Sequence, residues 1–226
     1  QLIPIYDKPL IFYPLSILIN MGIREILIIC VPEDLSIFKK LLDPLKIKAK
    51  IFYSVQKRPN GLPEAFKIGK NFIKNDPVTL ILGDNIFYNK NFLKIIKKAF
   101  NDDKNATILV KKVNNPEDFG ILNINKYNKI QIVEKPKKPK SNLAITGLYF
   151  FPNDVVKKAY LLKPSQRGET EITDLISLYV KENRINFINI KNSIWLDTGT
   201  PERLLLASNK VRNYKINKRI IICNLN

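Results

Sequence analysis

Apolar residues in the first hundred positions follow two alternating periods. Short runs of β-branched and aromatic residues, such as EILIICV, indicate buried strands, and segments with apolar residues every three or four positions indicate helices. The predicted strands are Glu25–Val31, Lys50–Val55 and Pro77–Leu82, and the predicted helices are Pro9–Met21, Glu33–Leu42, Leu62–Ile73 and Asn91–Phe100. This alternation is typical of βαβ units and a parallel sheet.

The alternation stops after Thr107. The remaining predicted elements are a hairpin of Phe119–Ile124 and Lys129–Glu134, strands at Ile145–Phe151 and Ile185–Ile190, and helices at Asn153–Leu161, Glu171–Glu182 and Thr200–Asn213. Thr200 suits the N-cap of the last helix, and Pro201 suits its first turn. We therefore predict one α/β domain over residues 1–226. It has a mixed, mainly parallel sheet flanked by helices, with inserted antiparallel strands.

The chain contains no histidine, which excludes Ser-His-Asp and Cys-His catalysis and His-ligated zinc. A bound metal would take carboxylate ligands, which favour hard ions such as Mg²⁺. No apolar run is long enough to cross a membrane, and the first residues do not resemble a signal peptide. We expect a cytoplasmic protein with no membrane partner.

The net charge of +18 is compatible with nucleic-acid binding. Lysine supplies most of it, is scattered along the chain, and accompanies many Ile and Asn residues, a mixture that AT-rich codons produce. We therefore expect no nucleic-acid partner, although a basic nucleic-acid-binding protein stays open as an alternative. The charge would still favour small molecules that carry phosphate.

Two aspartates follow short apolar runs, Asp84 in LILGDNIF and Asp197 in WLDTGT. In open α/β sheets, ligands bind outside the carboxyl ends of the strands. Each aspartate alone could simply make a turn or cap a helix. Together they indicate a site in which Asp84 and Asp197 share one divalent cation.

Two further segments carry polar residues between predicted elements. Glu134 and Lys135 follow a strand, and the loop from Gln56 to Gly61 joins a strand to a helix. A glutamine can read a base edge, and Gly61 permits the close approach of a ring or of backbone. A solvated charge pair and an ordinary loop are the alternatives. Neither a P-loop nor a GxGxxG fingerprint is present.

Five segments taken in order resemble the glucose-1-phosphate thymidylyltransferases, a family of sugar nucleotidyltransferases. They are QLIPIYDKPLIFYPL, LGDNIFY, EKPKKPKSNLAITGLYFF, RGETEITDL and WLDTGTPERLLLASN. The resemblance implies a Rossmann-like nucleotide-diphospho-sugar transferase fold and a homotetramer. It also implies Mg²⁺-dependent joining of dTTP and glucose 1-phosphate into dTDP-glucose and pyrophosphate, the first step toward dTDP-rhamnose.

The resemblance also implies roles for individual residues. They are the magnesium ligands Asp84 and Asp197, the thymine contacts Gln56 and Gly61, the sugar contacts Gly120, Glu134 and Ile145, and the sugar-phosphate cations Lys135 and Arg167. The attacking phosphate is already anionic, so no base is needed, and positioning and charge neutralisation suffice. The two aspartates and the two cations are therefore the expected catalytic residues.

The chain departs from the family pattern in three ways. No GGxGTRLxP loop or following lysine precedes Gln1, the chain stops at Asn226 where family members continue, and Phe119 stands where the family often has tyrosine. We expect a fragment that binds sugar nucleotides weakly and turns over slowly. A UTP-using or other sugar-phosphate transferase and a non-catalytic nucleotide-sugar-binding remnant are the alternatives.

Overall fold

The chain folds around a six-stranded mixed sheet in a computed structural model that describes residues 1–218 and 222–225. The strands are β1 (Pro4–Ile5), β2 (Lys8–Pro9), β3 (Glu25–Cys30), β4 (Lys50–Val55), β5 (Val78–Ile81), β6 (Asn85–Tyr88), β7 (Ala106–Lys112), β8 (Ile121–Ile124), β9 (Ile130–Val133), β10 (Leu143–Phe151), β11 (Ile185–Asn189) and β12 (Ile194–Asp197). The helices are α1 (Phe12–Asn20), α2 (Leu35–Leu42), α3 (Glu64–Ile68), α4 (Lys70–Ile73), α5 (Phe92–Phe100), α6 (Val155–Leu161), α7 (Ile172–Lys181) and α8 (Pro201–Lys218).

The long strand β10 organises the six-stranded sheet. It pairs antiparallel with β7 and β5, and near Ala144 with β8, while β11 lies parallel to β7 and β9 completes the hairpin with β8. The register between β10 and β7 shifts between Ile145 and Tyr149. The pairs β1–β2, β3–β4 and β6–β12 form three small sheets.

The predicted α/β class with a mixed sheet is confirmed. Only β3–β4 and β7–β11 are parallel among the described pairs, and the other pairs are antiparallel. Antiparallel pairing therefore takes a larger share than the strand–helix alternation indicates. The reason is β10, which runs opposite to both β5 and β7 and so interrupts the parallel arrangement.

Several element boundaries differ from the sequence prediction. The predicted helix Leu62–Ile73 is two short helices that meet at Gly69, and five strands, β1, β2, β6, β7 and β12, had not been predicted. A side-chain carbon at Gly69 would lie 3.4 Å from Leu27 of β3, so the chain passes close to the sheet there. The predicted cap of α8 is confirmed, since the Arg203 N–H donates to Thr200 Oγ1 at 3.3 Å.

The helices bury their apolar stripes against the sheet. In α7, Leu175, Ile176 and Tyr179 are fully buried and belong to one core cluster with Ile108 of β7 and Phe151 of β10. Burying each such side chain contributes about 1.5–3 kcal/mol. This packing holds β10, and the polar segments beside it, in place. Among the described helices, none is both long and apolar enough to cross a membrane.

An apolar crevice of about 440 Å³ lies between β3 and β5. Leu27 and Ile29 line it from β3, Leu80 and Ile81 line it from β5, and Phe66 closes one side. In the described part of the chain β3 pairs only with β4, and β5 only with β10. One edge of each strand therefore faces this crevice.

Candidate active site

Asp84 lies in the turn between β5 and β6, at the carboxyl end of β5, where the sequence predicts it. Its backbone carbonyl accepts hydrogen bonds from the N–H and Oγ1 of Thr198, at 3.1 Å and 2.8 Å. Its side-chain Oδ1 accepts a hydrogen bond from Nδ2 of Asn85 at 2.9 Å. The turn is thus fixed to the segment after β12, and the carboxylate has a defined orientation.

Asp197 is the last residue of β12, which pairs with β6 so that Asp197 lies opposite Asn85. Its Oδ1 accepts a hydrogen bond from the Gly199 N–H at 2.8 Å. A side-chain carbon added at Gly199 would lie 3.0 Å from Asp197 Oδ1 and 4.0 Å from Asp84 Oδ2. Those two oxygens are therefore at most about 7 Å apart, the sum of the two distances. The structure brings the two aspartates together.

The two carboxylates fit a hard cation. Asp84 Oδ2 and Asp197 Oδ2 accept no hydrogen bond from the described residues, and the missing side chain of Gly199 leaves space beside them. Mg²⁺ usually binds one or two carboxylates and keeps several waters. Residues 1–218 and 222–225 contain no cluster of three or more His, Cys, Asp or Glu side chains. A cation at this pair would complete its shell with water and phosphate oxygens.

Asn85, to which the sequence assigned no role, links the start of β6 to β10 and β12. Its side chain is buried, and its Oδ1 accepts hydrogen bonds from the Gly147 N–H at 3.1 Å and from Trp195 Nε1 at 2.6 Å. Gly147 lies where the register of β10 shifts. The available signal was an asparagine inside an apolar run, because a buried amide needs partners.

The loop after β4 contains Gln56 and Gly61. Gly61 has φ +99°, and a side-chain carbon there would lie only 2.0 Å from the Thr170 carbonyl oxygen, so glycine is required. The neighbour that approaches Gly61 closely is therefore backbone. The Asn60 carbonyl accepts hydrogen bonds from the N–H and Oγ1 of Thr170, at 2.9 Å and 2.8 Å. These contacts join this loop to the loop that carries Arg167.

Gly120, Glu134 and Ile145 converge on one spot. A side-chain carbon at Gly120 would lie 3.3 Å from Glu134 Oε2 and 3.8 Å from Ile145 Cδ1. Thr173 of α7 completes the cluster, since its Oγ1 donates to Glu134 Oε2 at 3.0 Å. Thr173 could not be identified from the sequence, because no local pattern shows that the first turn of α7 faces the β8–β9 hairpin.

The environment of Glu134 raises the pKa of its carboxyl group. Burial raises the pKa of its carboxyl group, and the charge of Glu171 raises it further, while the hydrogen bond from Thr173 and the charges of Lys135 and Arg167 lower it. The raising effects prevail. Arg167 Nη1 lies 3.6 Å from both Glu134 Oε1 and Glu171 Oε1. Arg167 is thus placed beside the cluster with its guanidinium partly in solvent.

Lys135 is exposed, and within the described residues no hydrogen bond or ion pair holds its ammonium group. Its backbone is constrained, with φ +37° and an N–H that donates to the Phe119 carbonyl at 3.1 Å. A non-glycine residue rarely adopts positive φ, and such geometry often occurs at functional sites. The charge of Lys135 acts on Glu134, which agrees with a position at the same cluster.

Aromatic packing connects the aspartate pair with the Glu134 cluster. The ring of Phe119, which precedes Gly120, lies 5.2 Å from that of Trp195. The Arg203 guanidinium lies over the Phe119 ring at 5.1 Å, and its Nη1 is 3.7 Å from Asp197 Oδ1. The phenylalanine at this position uses its ring for packing and offers no hydroxyl to a ligand.

Comparison with known proteins agrees with the motifs read from the sequence. The family model for nucleotidyl transferases matches residues 1–214. Glucose-1-phosphate thymidylyltransferase of Neisseria meningitidis is 47% identical over 215 residues, which cover 94% of this chain and 75% of that protein. The enzyme of the same name from Xanthomonas campestris pv. campestris is 41% identical over 226 residues, covering 99% and 77% respectively.

A solved structure agrees as well. A Bacillus anthracis crystal structure, assigned to glucose-1-phosphate thymidylyltransferase and in complex with sucrose, superposes with a TM-score of 0.85 at 33% identity. The match covers 94% of this chain and 86% of that one. The resemblance inferred from the motifs is thereby confirmed, and the chain belongs to the nucleotidyl transferase family.

Proposed function

We propose that this protein is a glucose-1-phosphate thymidylyltransferase, which transfers dTMP from dTTP to glucose 1-phosphate. The observation that carries the proposal is the convergence of Asp84 and Asp197 at Gly199, next to the cluster around Glu134. The first pair suits the phosphates and a cation, and the second cluster suits a sugar. The names of the relatives support the same reaction.

The reaction needs positioning more than proton transfer. A phosphate oxygen of glucose 1-phosphate attacks the α-phosphorus of dTTP, the bond to the bridging oxygen of the β-phosphate breaks, and pyrophosphate leaves. The nucleophile is already anionic, so a chain without histidine lacks nothing that this chemistry requires. Bound Mg²⁺, held by Asp84 and Asp197, would neutralise phosphate charge.

The remaining residues bind and orient the substrates. Glu134 is placed to accept hydrogen bonds from sugar hydroxyls, and Thr173 holds the orientation of its carboxylate. Arg167 and Lys135 would attract the sugar phosphate and offset charge that shifts during attack. Gln56 and Gly61 would hold the thymine.

The test is direct synthesis. The purified protein is incubated with dTTP, glucose 1-phosphate and Mg²⁺, and dTDP-glucose and pyrophosphate are quantified by chromatography. We expect equal amounts of both products and at least about a 10²-fold loss of rate in Asp84→Asn and Asp197→Asn, since each removes stabilisation of developing charge. Asp103→Asn, a change at an exposed position, is the matched control.

Two further measurements define the outcome. Mg²⁺ titration of the same variants should show weaker binding for the two site variants and unchanged binding for the control. UTP offered with dTTP reports the base preference. If the protein forms no dTDP-glucose and binds none in a direct binding assay, the proposal fails.

A further inference from the structure

The amide of Gln56 is held by a carboxylate that the sequence analysis did not single out. Glu64 lies in the first turn of α3, and its Oε2 accepts a hydrogen bond from Nε2 of Gln56 at 2.9 Å. Its Oε1 accepts a second hydrogen bond, from Nδ2 of Asn60, at 3.1 Å. Both oxygens of Glu64 are thus engaged by amides of the loop predicted to hold the base.

This contact fixes which way the Gln56 amide faces. An ionised carboxylate only accepts hydrogen bonds, so the neighbouring group must present its N–H₂ and not its oxygen. Rotating the Gln56 amide by half a turn would place Oε1 against a Glu64 oxygen, with two acceptors in contact. Gln56 therefore keeps Oε1 and one Nε2 hydrogen available for a ligand.

We propose that Glu64 is a positioning residue that sets base selectivity through Gln56. It favours bases that carry a ring N–H beside a carbonyl oxygen, as thymine and uracil do, over cytosine. This inference rests on the proposed function, in which Gln56 contacts the base. It concerns the base edge alone and does not separate thymine from uracil.

The chemistry of the two edges gives the discrimination. Gln56 Oε1 accepts from N3–H of thymine, and the free Nε2 hydrogen donates to O4, so both polar groups of the amide are satisfied. Cytosine carries a lone pair at N3 and an amino group at C4, which would set acceptor against acceptor and donor against donor. A site built to hydrogen-bond one edge rejects the other because its polar groups are left unpaired.

The test compares two ligands that differ only at this edge, dTDP and 5-methyl-2′-deoxycytidine 5′-diphosphate. Their dissociation constants are measured by calorimetry for the wild type, Glu64→Gln and Glu64→Ala. We expect the wild type to prefer dTDP by at least about tenfold, the factor that one unpaired polar group produces. In both variants the preference should fall at least about fivefold, since Gln56 can then present either face.

The ratio of the two affinities separates positioning from folding, because a general loss of structure weakens both ligands equally. Glu33→Gln, at an exposed position, is the control and should keep the wild-type ratio. An unchanged ratio in both Glu64 variants, with clear preference in the wild type, overturns this inference and leaves the proposed function standing. A wild type that binds both ligands equally also overturns this inference, whereas the proposed function is judged by the synthesis and binding of dTDP-glucose.

Discussion

Glu134, which is proposed to bind the sugar, lies in an environment that disfavours its charge. Its carboxyl is mostly buried, with the carboxylate of Glu171 nearby, and both effects raise its pKa. The ionised form is what a sugar hydroxyl would donate to. The fold tolerates that charge because Thr173 donates to it and Arg167 lies beside it.

The raised pKa of Glu134 predicts a pH-dependent gain in stability for Glu134→Gln. Because the folded-state pKa exceeds the unfolded value, ionisation of Glu134 lowers stability at pH above the folded pKa, and this effect vanishes below the unfolded pKa. The variant should therefore melt at a higher temperature than the wild type at pH 8, where this destabilisation is largest.

The melting difference should shrink as the pH falls through the raised pKa of Glu134. Calorimetry from about pH 8 down to about pH 5, the range in which proteins tend to be most stable, measures this change. The same variant should bind glucose 1-phosphate more weakly than the wild type. Glu117→Gln, at an exposed position, is the control. A difference that stays constant over this range would contradict the role assigned to burial.

At the scale of elements, the sequence predicts helices, which have a local apolar period, better than short strands, which are defined by their pairing with distant segments. Helix α7 shows buried residues at helical spacing, so its pattern is local. Strands β6 and β12 are four residues each and, within the part of the chain that the structure describes, pair only with one another, across more than a hundred residues of sequence. The segment ATILVKK of β7 did carry a strand pattern, and the expected change of rhythm after Thr107 obscured it.

In the site, too, the sequence shows local features but not contacts between distant segments. Each aspartate could be identified at a strand end, but their proximity depends on the pairing of β6 with β12. Thr173 and Glu64 could not be found, because their roles lie in contacts with Glu134 and Gln56 that no local pattern shows. The family resemblance named ligand-facing residues and none of the residues that hold them.

The pairing of β6 with β12 predicts a strong effect of Asn85→Ala. Removing the amide leaves the buried Gly147 N–H and the part-buried Trp195 Nε1–H without the acceptor that they share, and each such loss costs about 1–3 kcal/mol. We expect the free energy of unfolding to fall by about 2–4 kcal/mol, measured by urea denaturation. Asn209→Ala, at an exposed position on α8, is the control, and a loss no larger than the control's would show that Asn85 is not a brace.

At the scale of the whole molecule, the net charge of +18 invites a nucleic-acid hypothesis that we do not expect to hold. Affinity of scattered lysines for phosphate backbones comes from counterion release, so it falls steeply as salt rises. We expect no retention of DNA or RNA on filters at about 0.2 M salt, where such contacts weaken. Tight binding that persists at this salt concentration would show that the charge forms a nucleic-acid surface.

A polypeptide of these 226 residues should synthesise dTDP-glucose slowly. The base contacts, the sugar contacts and the aspartate pair all lie within it, whereas no segment in it matches the glycine-rich loop that embraces the triphosphate in the family. The crevice between β3 and β5 also leaves apolar strand edges without a partner in the described structure.

Each preorganised donor lost from a developing charge lowers the rate by about 10²–10³-fold. We therefore expect the rate of dTDP-glucose synthesis to be at least about 10²-fold lower than that of the Neisseria meningitidis enzyme. Both rates are measured side by side as pyrophosphate release from dTTP. Binding of dTDP-glucose should survive better than turnover, because its base and sugar contacts are present. Turnover equal to that of the relative would mean that a polypeptide of these 226 residues does not need the glycine-rich loop to bind the triphosphate and turn over.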